Sequence, residues 1–69
     1  MNVDRLVRMA NDIGNFFRSE PDHAVAVDGI ASHIKRFWDP RMRKEILEHV
    51  DAGGEGLMEL AREAVLKLR

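Results

Sequence analysis

Three histidines and twelve acids are the first groups to weigh for chemistry in this chain, which has no cysteine at all. His23, His33 and His49 stand ten and sixteen residues apart. Glu45 and His49 share a helix face at i,i+4, a spacing that metal sites use. Further ligands would have to converge from elsewhere, with His33 or Asp22 as the nominees, and nothing in the spacing demands that. Surface or partly buried imidazoles are the plain expectation. Acid–base catalysis needs carboxylates or imidazoles in a pocket that perturbs them. Most acids here fall on polar helix faces, and a bundle this small has little room for a ligand cavity of several hundred cubic ångströms. No serine motif of the nucleophile-elbow type is present. Asp51-Ala52-Gly53-Gly54-Glu55-Gly56 imitates a phosphate loop but lacks the Lys-Ser/Thr that follows the glycines, and no strand precedes it. No catalytic residue, cofactor-binding residue or metal ligand is therefore expected.

The contact chemistry is richer. Phe37-Trp38-Asp39-Pro40-Arg41-Met42-Arg43 packs the single tryptophan, a second aromatic, a helix-start signal and two arginines into seven residues. Trp and Arg are enriched where one protein grips another. An indole in a partner's pocket loses little entropy, and an arginine can fork to a carboxylate or a backbone oxygen. The candidate partner-binding residues are Phe16, Phe37, Trp38, Asp39, Pro40, Arg41 and Arg43. The plain structural alternative is that Asp39-Pro40 is a tight corner and the aromatics before it are core. Both readings hold together if the corner shapes a platform, with Trp38 and Arg41 at the surface.

The elements that would position these residues read as helices. Over 3–18, Val3, Leu6, Val7, Ala10, Ile13, Gly14 and Phe17 recur at three- and four-residue steps, and Met9 and Phe16 widen the apolar face. Gly14 disfavours a helix interior by about 1 kcal/mol against Ala, which suggests close approach by another helix. Ser19-Glu20-Pro21-Asp22 breaks the pattern, with Pro21 suited to a first helical turn. A second helix over 21–37 carries Ala24, Val27, Ile30, Ala31, Ile34 and Trp38, with Phe37 at one edge. Asp39 is a natural N-cap and Pro40 a natural first residue for a third helix over 40–52, with Met42, Ile46, Leu47 and Val50 on one side. Gly53-Gly54 ends it. A fourth helix over 57–68 aligns Leu57, Leu60, Ala61, Ala64 and Leu68, with Leu66 opposite. No strand pattern, internal repeat or low-complexity tract appears. The fold class is all-α, a small bundle of about four short helices forming one domain over 1–69.

Size and composition then point outward. Folding a chain near this length hides roughly 60% of its unfolded surface, so stability is marginal and a staple is usual. Disulfides and thiolate metal sites are excluded, which leaves a partner. The chain holds 24 Val, Ile, Leu, Met, Phe and Trp residues and seven Ala, more than four short helices can shelter. Net charge is −1, but residues 33–44 carry five basic side chains against Asp39, or +4, leaving −5 elsewhere. That local patch suits an acidic surface or a phosphate. A helix-turn-helix reading of the basic run meets Glu45 and Glu48 in the supposed recognition helix, so a small helical nucleic-acid-binding or regulatory protein is the second choice. No apolar run approaches about 18 residues, so no membrane span is expected. Met-Asn-Val-Asp-Arg does not open a signal peptide, and a cytoplasmic location is the default.

Three segments together resemble a known family. Leu6-Val7-Arg8-Met9-Ala10-Asn11-Asp12-Ile13, the stretch Phe37 to Arg43, and Asp51-Ala52-Gly53-Gly54-Glu55-Gly56-Leu57 look like the delta subunit of NAD-dependent, molybdenum-containing formate dehydrogenase. The likeness spans about residues 3–68. It implies a non-catalytic accessory subunit of a soluble cytoplasmic complex. In that family the alpha subunit carries molybdenum bis-molybdopterin guanine dinucleotide and oxidises formate to carbon dioxide. Iron–sulfur clusters pass electrons towards FMN and NAD on the other subunits, and beta and gamma subunits belong to the same complex. The delta subunit is expected to bind no cofactor itself, in keeping with the missing thiolates that clusters need. The implied role is docking on the alpha subunit to support assembly, stability or cofactor maturation.

Overall fold

The computed structural model describes residues 2–69; Met1, the first residue of the expected 1–69 domain, lies outside them. Four helices follow one another: α1 Val3–Phe17, α2 His23–Phe37, α3 Pro40–Asp51 and α4 Glu59–Leu66. Each of the first three opens on a side-chain cap. Asn2 Oδ1 accepts the Asp4 N–H at 2.8 Å, Asp22 Oδ1 accepts the Val25 N–H at 3.3 Å, and Asp39 Oδ1 accepts the Met42 N–H at 2.9 Å. Two expected starts shift. Pro21 lies before α2 rather than in its first turn, because Asp22 takes the capping position. Leu57 and Met58 precede α4, which begins two residues late, with Met58 extended at φ −65°, ψ 152°. Helix α4 also stops at Leu66 rather than Leu68, the last turn tightening through a Leu68 N–H bond to the Val65 carbonyl at 2.9 Å.

Helix α3 ends in the turn that the paired glycines signal. The Gly53 N–H bonds to the Val50 carbonyl at 3.0 Å and the Gly54 N–H to the His49 carbonyl at 2.9 Å. That nested pair is a Schellman motif, and Gly53 at φ 120° supplies the backbone that a side chain would resist.

Helices α1 and α4 touch each other and lie between α2 and α3; α2 packs on both of them, and so does α3. The chain measures 31 × 23 × 18 Å. The core is the set of inward stripes: Leu6, Val7 and Ala10; Val27, Ile30, Ala31 and Ile34; Ile46 and Val50; Ala61, Ala64 and Val65. On α2 the inner neighbour of the stripe is Ala26, while Ala24 is exposed. Trp38 completes this core at 4% exposure, correcting the expectation that it stands at the surface. The reason is its phase: Trp38 lies four residues beyond Ile34 and eight beyond Ile30, on the inner stripe. Phe37, one position off that stripe, turns outward and is 67% exposed. The two small helix residues accept neighbours. The Met58 side chain lies over Gly14, and the Phe17 ring lies flush on Gly29, where an added Cβ would fall 2.5 Å from Phe17 Cε1.

Candidate interaction surface

The corner between α2 and α3 is rigid for local reasons. Trp38 is the C-cap of α2, and its N–H bonds to the Ile34 carbonyl at 2.9 Å. Asp39 caps α3, and Pro40 is its first residue. Arg43 folds back to close the corner: its guanidinium donates to the Trp38 carbonyl at 2.5 Å and the Lys35 carbonyl at 3.3 Å. These carbonyls lie at the end of α2, where the helix leaves acceptors without intrahelical partners. Asp39, Pro40 and Arg43 thus have internal work in the fold. Arg41 points to solvent.

Phe16 and Phe37 are the two most exposed large apolar side chains among the described residues, at 78% and 67%. Phe16 lies near the end of α1 and Phe37 ends α2. The Phe16 ring meets Phe17 edge-on, with centroids 5.2 Å apart at 80°. The Phe37 ring lies 4.7 Å from the His33 imidazole. Beside Phe16 runs an open groove of about 380 Å³ lined by Asp12, Ile13, Phe16, Phe17 and His33, and Phe37 adjoins it through its contact with His33. Its wall is almost wholly apolar, and Asp12 is the acid on it. The Arg36 guanidinium stands 5.6 Å over the Phe37 ring and edges the patch with positive charge.

The structure therefore links Phe16 to Phe37 only through the groove and His33, and sends Trp38 inside. Ile13, Phe17 and His33 were missed as groove walls. Their signal is in the sequence, since Ile13 with Phe16 and His33 with Phe37 repeat at helical spacing beside the core stripe.

A second, larger open groove of about 580 Å³ is lined by Asn2, Asp4, Val7, Arg8, His49, Glu55 and Gly56. It is polar and assembles no catalytic set. His49 Nε2 lies 2.8 Å from the Glu55 carbonyl, and a carbonyl only accepts, so this nitrogen is the donor in that bond. His23 Nε2 lies 2.8 Å from Glu63 Oε2, and His33 faces Phe37. The three imidazoles thus serve three separate contacts. Among the described residues no group of three His, Cys, Asp or Glu side chains is placed to hold a metal ion, and no helix is long and apolar enough to cross a membrane.

Four short helices around a closed core, with an open aromatic groove on the surface, define a small helical bundle. The chain belongs to the family described as NADH-dependant formate dehydrogenase delta subunit FdsD, whose family model matches residues 5–65. Comparison with curated proteins and with solved structures gives no match.

Proposed function

We propose that this chain is a non-catalytic subunit that docks on the molybdenum-carrying alpha subunit of a cytoplasmic formate dehydrogenase, through the groove beside Phe16 and the adjoining Phe37. Family membership supports a place in that complex. The observation that carries the docking surface is the exposure of two phenylalanines, 78% and 67%, one lining an apolar groove and the other packed on the groove residue His33. Burying a Phe side chain stabilises by about 1.5–3 kcal/mol, so leaving both in water is a cost that a partner removes. The cofactors of the reaction then belong to the other subunits, with molybdenum bis-molybdopterin guanine dinucleotide on alpha and iron–sulfur clusters and FMN within the complex. This chain has no thiolate to hold a cluster. Docking that prefers the cofactor-loaded alpha subunit over the empty one stabilises the loaded form by mass action.

The test is co-purification with a tagged alpha subunit. Phe16→Ala/Phe37→Ala should fold normally and be lost from the complex, with a penalty on the order of 2 kcal/mol or more if the pair is a hot spot. Undiminished retention of the folded double variant overturns the groove as the docking surface. Molybdenum per alpha subunit, measured with and without this chain, tests the preference for the loaded form. Full loading in its absence leaves only a passive structural role.

A further inference from the structure

Resting on the docking reading above, we infer that the groove receives an apolar side chain carried on an acidic segment of the alpha subunit, whose carboxylates meet Arg36 and Arg41. The argument is charge complementarity. Lys35, Arg36, Arg41 and Lys44 are all exposed around the α2–α3 corner, directly after the groove residue His33 in the chain. The ion pairs among the described residues join His23 to Glu63, Lys67 to Asp28 and Arg69 to Asp51, and leave these four cations out. Arg43, the fifth cation of the run, is spent on the carbonyls of Lys35 and Trp38. The acid inside the run, Asp39, is likewise spent on capping α3, while Glu45 and Glu48 stand one helical turn beyond Arg41 and Lys44.

Arg36 is the most informative of the four. Its guanidinium is 5.6 Å over the Phe37 ring. A guanidinium held on a ring face keeps its N–H edge free, and that planar fork matches a carboxylate in two parallel bonds. The ring also shields the pair from water on one side, which strengthens the attraction. Asp12 sits on the α1 wall of the groove, so the groove has a polarity. The partner's carboxylates are excluded from the α1 side and drawn to the α2 side. Its apolar side chain fills the space between Ile13, Phe16 and Phe17.

The experiment compares retention of the full-length chain in the purified complex across salt from about 0.05 M to about 0.5 M, where the screening length shrinks from well over 10 Å to about 4 Å. Four chains are used: wild type, Arg36→Glu/Arg41→Glu, the milder Arg36→Gln/Arg41→Gln, and Phe16→Ala/Phe37→Ala. All the altered residues are exposed, and far-ultraviolet circular dichroism with Trp38 emission verifies the fold of each. Wild-type retention should fall several-fold as salt rises. Charge reversal should lower it roughly tenfold at low salt and flatten the salt response, with the glutamine pair in between. The aromatic variant should be lost at every salt concentration.

Retention of both arginine variants at the wild-type level, with loss of the aromatic one, leaves docking standing and overturns the acidic segment. Retention of the aromatic variant as well overturns the docking reading itself. A dimer of the isolated chain that Phe16→Ala/Phe37→Ala abolishes assigns the groove to a second copy and overturns the inference. So does a salt-sensitive gel shift with mixed DNA and RNA that charge reversal removes, because the corner then serves a phosphate backbone.

Discussion

Asn11 of α1 holds Met58 at the head of α4. Its Oδ1 accepts the Met58 N–H at 2.9 Å, and its Nδ2 donates to the Gly56 carbonyl at 2.9 Å. Met58 itself gives α4 no side-chain cap, so an amide 47 positions away supplies one from a different helix. Asn11→Ala removes both bonds and leaves the Met58 N–H half-buried without its partner. The expected loss is about 1–2 kcal/mol, which lowers the melting temperature by roughly 4–16 °C in a domain this small. Thermal denaturation measures the loss. Hydrogen exchange at the Met58 amide should accelerate more than at α2 core amides; equal acceleration everywhere would contradict a local clamp.

Gly29 and Phe17 predict a sign change. An added Cβ at Gly29 meets three atoms of the Phe17 ring at 2.5, 2.8 and 3.0 Å, and a ring yields less readily than a flexible chain. Gly29→Ala should therefore destabilise the wild type by about 1–3 kcal/mol. With Phe17→Ala already in place, the same change should stabilise by up to about 1 kcal/mol through helix propensity. A double-mutant cycle in urea reads the coupling. Additive effects would show that the ring moves aside freely.

Trp38 is the fold's own anchor at the α2–α3 corner. Trp38→Ala should destabilise by about 3–5 kcal/mol, a large share of the total for a 69-residue chain. Any loss of the complex in this variant then follows from unfolding. Wild-type tryptophan emission should be blue-shifted and resist quenching by acrylamide. Red-shifted, readily quenched emission would contradict its 4% exposure.

Arg43 joins the end of α2 to α3 through two carbonyls. Arg43→Ala should destabilise by about 1.5–3 kcal/mol, the range of hydrogen bonds made by charged groups. Arg43→Lys should recover only part of that, because an ammonium lacks the planar fork. Full recovery by lysine would reduce the contact to charge alone. Urea denaturation of the three chains decides it.

The pair Lys67–Asp28 tests the other extreme. It spans 3.0 Å with side chains 54% and 63% exposed. Solvent screening at that exposure limits it to about 0–1 kcal/mol. Lys67→Ala should change the urea midpoint little, and that little should vanish in about 1 M salt. A large, salt-insensitive loss would mean that Lys67 packs through its aliphatic stem.

Helix number, order and approximate bounds were legible because they follow from short-range physics. Asp39-Pro40 and Gly53-Gly54 carry their capping chemistry within a few residues. The inner stripes repeat at three and four, so Leu6, Ala10, Ile30 and Ile34 are core under any arrangement of the helices. Helix α4 starts two residues later than its periodicity predicts because the N–H at its head is held by Asn11, and local sequence holds no trace of a partner 47 positions distant. The candidate surface was half legible. Phe16 stood outside the α1 stripe and is exposed. Trp38 drew attention by residue type, although its phase on α2 placed it inside.

What the chain determined by itself is periodicity and local capping: four helices, their approximate bounds, and which stripe of each is apolar. These are governed by interactions three and four residues apart, which the sequence carries locally. Only the tertiary structure decided which apolar residues the stripes could cover. Helices α1 and α4 lie between α2 and α3, and Phe16 and Phe37 stay outside the core these contacts close. They are left in water for the same reason that Trp38 is not: burial depends on which helix stands opposite, a distance the sequence does not encode locally.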